Sequence, residues 1–368
     1  MTDTWAAPGP IGHARTPPKR DVFEKGWVFV ARVGTGARAL TAAVLAAVLG
    51  FASAGCSSTG GKRAEERAEQ AANASGRAAV NTPRMTFAMV THSGDGDTFW
   101  DIVQSGAEEA ARKDNVKFLY AHHEEGKDQA QLVQTYIDQK VDGLIVTLAK
   151  PEAMQAVVKK AEKAGIPVIT VNSGAAQSKA FGALSHIGQD ETIAGEAVGE
   201  ELNKRGRKKA LCVLHEQGNV GLEQRCDGAE KTFDGKLERV YVEGTNMPDV
   251  ESTIEAKLQS DKGIDAVVTL GAPFAATAAK AADQSGSKAE IDTFDLNGKV
   301  AESLQNGTLG FAVDQQPYMQ GYEAVDLLWL YHYNADVLGG GRPVLTGPQI
   351  ITKDDAAELA KYAKRGTR

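Results

Sequence analysis

Residues 209–233 read KALCVLHEQGNVGLEQRCDGAEKTF. The first six crowd apolar and β-favouring side chains together, the pattern of a strand covered on both faces. Gly218-Asn219 follows, a turn pair whose asparagine suits a helix N-cap. From Leu222 to Phe233 the spacing is helical. Strand, turn and helix form the unit that builds a parallel sheet, and here the unit opens a series. The stretch also holds Cys212, His215, Glu216, Arg225 and Cys226. That set is compatible with a metal site, a thiol active site, a structural bridge or a ligand-binding turn.

An earlier series runs from Arg84. MTFAMVT (85–91) precedes a helix near 98–113, and VKFLYA (116–121) one near 127–140. GLIVTL (143–148) precedes a helix opened by Pro151, a good first-turn residue. IPVITV (166–171) and FGALSHIG (181–188) lead to a helix near 190–204. The second series repeats this plan. KALCVL is followed by a helix near 220–233, LERVYVE (237–243) by one near 249–260, and IDAVVTL (264–270) by one opened at Pro273. EIDTFD (290–295), LGFAVD (309–314) and PQIIT (348–352) complete it, with helices near 298–305 and 317–335 and at the C-terminus. The pattern predicts an α/β fold of two doubly wound parallel-sheet lobes with a cleft between them. The break falls near 188–191. Crossovers are expected near Gln189-Asp190, Asp314-Gln315 and Arg342-Pro343. The N-terminal lobe is then 84–189 plus 316–342, and the C-terminal lobe 190–315 plus 343–368.

The residues ahead of the lobes read differently. Residues 37–54, ARALTAAVLAAVLGFASA, form an apolar run behind Arg32 and Arg38, the plan of a secretory signal. It ends in SAGC, so 1–56 reads as a lipoprotein export segment with Cys56 as the lipidated residue. A plain transmembrane anchor is the alternative. Residues 1–36 are long and proline-rich for such a signal, and no Met lies between Met1 and Met85. Translation is therefore expected to start at a valine codon near Val28, Val30 or Val33. Residues 57–83 are Ser, Gly, Ala and charge, a flexible tether. These features place the lobes outside the cytoplasmic membrane, on a lipid anchor. The whole chain has 368 residues, 42% hydrophobic, 24% charged, with a net charge of −7. That balance is globular and offers no basic patch for nucleic acid.

Ligands of doubly wound sheets bind beyond the carboxyl ends of the strands. After the first strand comes HSGDGDTFW (92–100). A dinucleotide fingerprint would need a third glycine where Phe99 stands, so that reading fails. Thr98 and Asp101 fit a capping box instead. Asp97, Phe99 and Trp100 stand at the cleft, where aromatic faces suit the C–H faces of a sugar ring. Asn172-Ser173, Asp295 and Gln315 stand at three further strand ends. His122-His123-Glu124-Glu125 reads as a solvated loop. Cys212, His215 and Cys226 lack a fourth ligand at zinc spacing. Neither a metal nor another cofactor is expected, and GxSxG, Walker A and HExxH are all missing from the sequence.

The order of units, the aromatic loop, IPVITVNS, HIGQDETIAGE, RCDGAEKTF, IDTFD and DQQPYMQG together resemble the periplasmic sugar-binding proteins of ABC importers. The likeness is to the ribose/galactose-type, simple-sugar subgroup, over about residues 84–352. It implies two lobes that close on a sugar and present it to a membrane permease. By the same resemblance the 97–100 loop sandwiches the sugar, and Arg225, Asp295 and Gln315 take its hydroxyls. Asn172 and Ser173 replace the family's Asp and Arg, and Gly271-Ala272 its Asn-Asp, which makes ribose itself doubtful. Repressors sharing this core carry a helix-turn-helix where this chain has an export signal.

The expected function is an extracytoplasmic, monomeric lipoprotein that binds a simple sugar or polyol for an ABC permease. The alternatives are a carbohydrate- or nucleoside-acting enzyme, with Asp97 and Asp295 as its acid-base pair, or a sensor reporting to a signalling receptor. Cys212 and Cys226 are left as an even pair in an oxidising compartment, where a disulfide bracing the Arg225 helix is expected. Two packed thiols are the alternative. Asn219 is placed at the cleft with Arg225.

Overall fold

The computed structural model describes residues 82–94 and 96–368. The export segment, Cys56 and residues 57–81 of the tether lie outside the described residues. The first lobe's elements are β1 (Thr86–Thr91), α1 (Thr98–Lys113), β2 (Lys117–His122), α2 (Gly126–Asp138), β3 (Gly143–Thr147), α3 (Pro151–Lys163), β4 (Val168–Val171), a short α4 (Ala175–Ser178) and β5 (Ser185–Gly188). The second lobe's are α5 (Glu191–Lys204), β6 (Lys209–Leu214), α6 (Val220–Thr232), β7 (Lys236–Tyr241), α7 (Met247–Ser260), β8 (Ala266–Thr269), α8 (Ala272–Ser285), β9 (Glu290–Phe294), α9 (Gly298–Asn306) and β10 (Ala312–Asp314). The chain then returns through α10 (Pro317–Asn334) and β11 (Val344–Leu345) to β12 (Gln349–Ile351) and α11 (Lys353–Arg365).

Each lobe is one six-stranded sheet, ordered β2-β1-β3-β4-β5-β11 in the first and β7-β6-β8-β9-β10-β12 in the second. Strand residues alternate between two cores. Phe87 and Met89 pack with α1 and α10, while Ala88 and Val90 pack toward α2 and α3. The second sheet is covered in the same way, with Leu211 and Val213 on one face and Cys212 and Leu214 on the other. Both faces being buried is why these strands carry hydrophobic runs rather than strict alternation. In each sheet the order reverses between the first and third strand of the lobe, and a crevice opens there at the carboxyl ends.

Close helix contact positions the second lobe's site. A Cβ on Gly195 would fall 2.1 Å from the Arg225 carbonyl oxygen, and one on Gly228 2.2 Å from that of Thr192. Glycine at both positions lets α5 and α6 approach backbone to backbone. A disulfide joins Cys212 of β6 to Cys226 of α6, with Cα atoms 6.2 Å apart.

Four local expectations need correction. The crossover placed at Arg342-Pro343 comes later, because β11 pairs in parallel with β5 of the first sheet. Residues 344–345 therefore belong to the first lobe, and the chain crosses after them. β12 pairs antiparallel with β10, so the second sheet is mixed. Of FGALSHIG only Ser185–Gly188 is strand; Lys179–Phe181 is a 3-10 turn. The cap of α1 is Asp97, not Thr98: its carboxylate accepts from the Phe99 N–H at 3.0 Å.

Candidate functional site

Between the carboxyl ends of the two sheets lies a cleft of about 980 Å³, lined from both lobes. All nine residues assigned to ligand on the sequence line it: Asp97, Phe99, Trp100, Asn172, Ser173, Asn219, Arg225, Asp295 and Gln315.

The aromatic pair is both core and wall. Phe99 and Trp100 are 8% and 5% exposed and pack in the first lobe's hydrophobic cluster. Their rings meet edge to face at 5.0 Å. Trp100 meets the His92 ring in the same manner, also at 5.0 Å. These contacts immobilise the faces that remain toward the cleft.

A polar relay runs along the site between the lobes. Asn172 directly follows β4 with φ 64°, and Asp295 directly follows β9 with φ 68°. Asn and Asp tolerate this left-handed backbone, and strain of this kind gathers at functional sites. Ser173 Oγ donates to Asn172 Oδ1 at 2.8 Å, and Asn172 Nδ2 donates to Gln315 Oε1 at 3.1 Å. Gln315 Nε2 donates in turn to Asp295 Oδ1 at 2.6 Å. Gln315 sits on the crossover, so it ties the amide of one lobe to the carboxylate of the other. Burial pushes the Asp295 carboxyl up to about 7, with Arg225 and Gln315 opposing and the Asp97 and Glu191 charges adding. Burial likewise raises Asp97 to about 6, opposed by the Phe99 N–H and aided by Glu216 and Asp101.

Arg225 is placed at the cleft but is not free. Nε and Nη2 donate to the two Glu191 oxygens at 2.6 and 3.0 Å, and Nη1 donates to the Leu270 carbonyl at 2.9 Å. Its guanidinium stacks over Phe294 at 4.5 Å. Three of its five donors are thus committed, and its charge is matched.

The lobes also touch across the cleft. The Val220 N–H donates to the Ala149 carbonyl at 3.0 Å. Asn219 caps α6 through Oδ1, and its Nδ2 lies 3.2 Å from His92 Nε2 and 2.8 Å from Glu216 Oε2. Lys150 Nζ lies 3.7 Å from Glu216 Oε1. Burial lowers the His92 pKa, against the pull of Glu216. His215 stacks on Phe274 at 4.1 Å, and burial, with Arg225 and His92 nearby, lowers its pKa to about 3.

A model of the periplasmic binding protein domain matches residues 87–333. The chain belongs to the periplasmic binding protein family. A carbohydrate transporter from Acidothermus cellulolyticus 11B, solved with myo-inositol, is 49% identical and superposes with a TM-score of 0.77. That match covers 78% of this chain and all of the other. The xylose/arabinose-binding protein of Sulfolobus acidocaldarius is 24% identical over 241 residues, 61% of this chain and 60% of that protein. This chain thus matches less than two thirds of that relative's length. The ribose import binding protein of Bacillus subtilis is 25% identical over 233 residues, 62% and 75% of the respective chains.

Within this periplasmic binding protein, the sequence reading missed Glu191, His92, Lys150 and Phe274. Glu191 follows directly on the β5 crossover in HIGQDETIAGE, and His92 follows β1 directly. Both stand where strand-end residues belong, and that was the available signal. His215 and Glu216 now have partners, an aromatic stack and a contact across the lobes.

Proposed function

We propose that this periplasmic binding protein captures a small cyclic polyol of the cyclitol and simple-sugar class and hands it, lobes closed, to an ABC importer. The observation that carries the reading is the Asn172–Gln315–Asp295 relay, which joins both lobes at a cleft walled by Trp100. Carboxylate and amide groups accept and donate to hydroxyls, while the aromatic face takes the C–H side of a ring. A ligand touching both lobes stabilises the closed form over the open one. Cyclitols are favoured over pentoses because the relative solved with myo-inositol is 49% identical, against 24% and 25% for the pentose-named ones. Asn172 and Ser173, where the resemblance implies Asp and Arg, speak against ribose itself.

The protein acts by binding rather than turnover, as a monomer held outside the cytoplasmic membrane by lipid on Cys56. The apolar run ending in SAGC supports the anchor. Cys56→Ser is expected to release the protein from membranes into the soluble fraction. A thermal-shift screen of pentoses, hexoses, linear polyols and inositols tests the ligand class. An inositol should give the largest rise in melting temperature. No rise with any of these ligands, or chemical conversion of the bound polyol, would overturn the reading.

A further inference from the structure

The cleft holds two carboxylates with no ion-pair partner among the described residues. Asp97 enters from the cap of α1 and Asp295 from the end of β9, in opposite lobes. Asp295 is 7% exposed. One oxygen of each is engaged, Asp97 Oδ1 with the Phe99 N–H and Asp295 Oδ1 with Gln315. Among the described residues nothing donates to either Oδ2, and no Lys, Arg or His lies within ion-pair distance of either group. The cations that line the cleft have other partners: Arg225 is forked onto Glu191, and Lys150 faces Glu216. Glu124, Glu125 and Glu243 add negative charge toward the rim.

We infer that the cleft selects amino-substituted cyclic polyols, aminocyclitols or amino sugars, over their neutral parents and rejects carboxylated or phosphorylated ones. The inference rests on the polyol reading above and narrows it. An ammonium brings three donors and a charge to carboxylates that, once ionised, only accept, and such bonds are roughly twice as strong as neutral ones. A hydroxyl satisfies the same oxygens but leaves their charge unmatched. An anion meets like charge in a buried site with no uncommitted cation to receive it.

The titration of the pair supports this. Burial pushes the Asp97 carboxyl up to about 6 and that of Asp295 up to about 7. The charged groups facing them are Glu216 and Asp101 around Asp97, and Arg225 and Glu191 around Asp295. His92 and His215, also lining the cleft, are held below the usual imidazole range by burial. Just above pH 7 both carboxylates are therefore mostly charged, and a ligand amine, though acidified by its neighbouring hydroxyls, is still largely protonated.

Calorimetric titration of the protein with myo-inositol, a mono-amino inositol, glucosamine and glucuronate tests this at pH 7.3 and pH 5.5. The amino inositol should bind roughly tenfold tighter than myo-inositol at pH 7.3. That ratio should shrink at pH 5.5, and glucuronate should not bind. Asp295→Asn and, separately, Asp97→Asn should each lower the ratio at pH 7.3. The wild-type pH profile stands even if either variant fails to fold. Myo-inositol binding as tightly as its amine at pH 7.3 would overturn the inference and leave the polyol reading intact. If none of myo-inositol, the amino inositol and glucosamine binds, both readings fall.

Discussion

Arg225 is where residue identity and site geometry are most tightly joined. It is 4% exposed and its charge is held by Glu191, itself buried. Arg225→Ala removes the partner of a buried carboxylate, so it should cost about 3–5 kcal/mol of folding stability, read by denaturant unfolding. Loss of affinity with unchanged stability would mean that the pair with Glu191 is not the residue's main task. Asp295 makes a different prediction. Its folded pKa, about 7, lies above the usual carboxylate value, as does that of Asp97 at about 6. The folded protein thus keeps protons that the unfolded chain releases above pH ~4. Its empty form should lose stability, by a few kcal/mol at most, as pH rises from ~4 through 7. Asp295→Asn should flatten that slope; a slope unchanged in the variant would show that Asp295 does not set it. Asn172, Asp295 and Gln315 were legible in the sequence because each directly follows a recognisable strand. The pairing of Arg225 with Glu191 was not legible. The two are 34 residues apart, and only the packing of α5 on α6 brings them together.

At the scale of elements, α5 and α6 act as one support for the second lobe's half of the cleft. The fit depends on Gly195 and Gly228, whose missing side chains let the backbones meet. Gly228→Ala should destabilise the protein by about 1–3 kcal/mol through overpacking and weaken ligand binding by shifting Arg225 and Asn219. The Cys212–Cys226 bridge braces the same helix across a separation of 14 residues. Replacing both cysteines with alanine should cost ~3 kcal/mol in the chain-entropy model, measured against the oxidised protein. Equal stability of the two would contradict a bracing role. Most elements could be read from the sequence because strands buried on both faces and well-capped helices leave strong local patterns. β11 and the direction of β12 could not. β11 has two residues, and its membership in the first sheet is fixed by pairing with β5. Whether β12 runs with or against β10 is decided by the return path of the chain, to which local composition is blind.

On the scale of the whole molecule, the proposed function turns on the balance between open and closed lobes. The contacts of Val220 with Ala149, Asn219 with His92, and Lys150 with Glu216 join the lobes through residues outside the relay, and each is expected to favour closure. Val220 is the first residue of α6, a position where proline keeps the helix but removes the N–H. Val220→Pro should therefore leave unfolding of the empty protein nearly unchanged. It should weaken ligand affinity by about 2–10-fold, the worth of one net hydrogen bond. Equal affinity would mean that this contact does not contribute to closure. The central claim, that the two lobes jointly hold one cyclic polyol, is tested most directly by calorimetric titration of the protein with myo-inositol, in parallel with Asp295→Ala and Trp100→Ala. The account predicts one saturable site per chain, weakened at least about tenfold by a change in either lobe. Saturable binding that either variant leaves intact, or no saturable binding to the wild type, would contradict it.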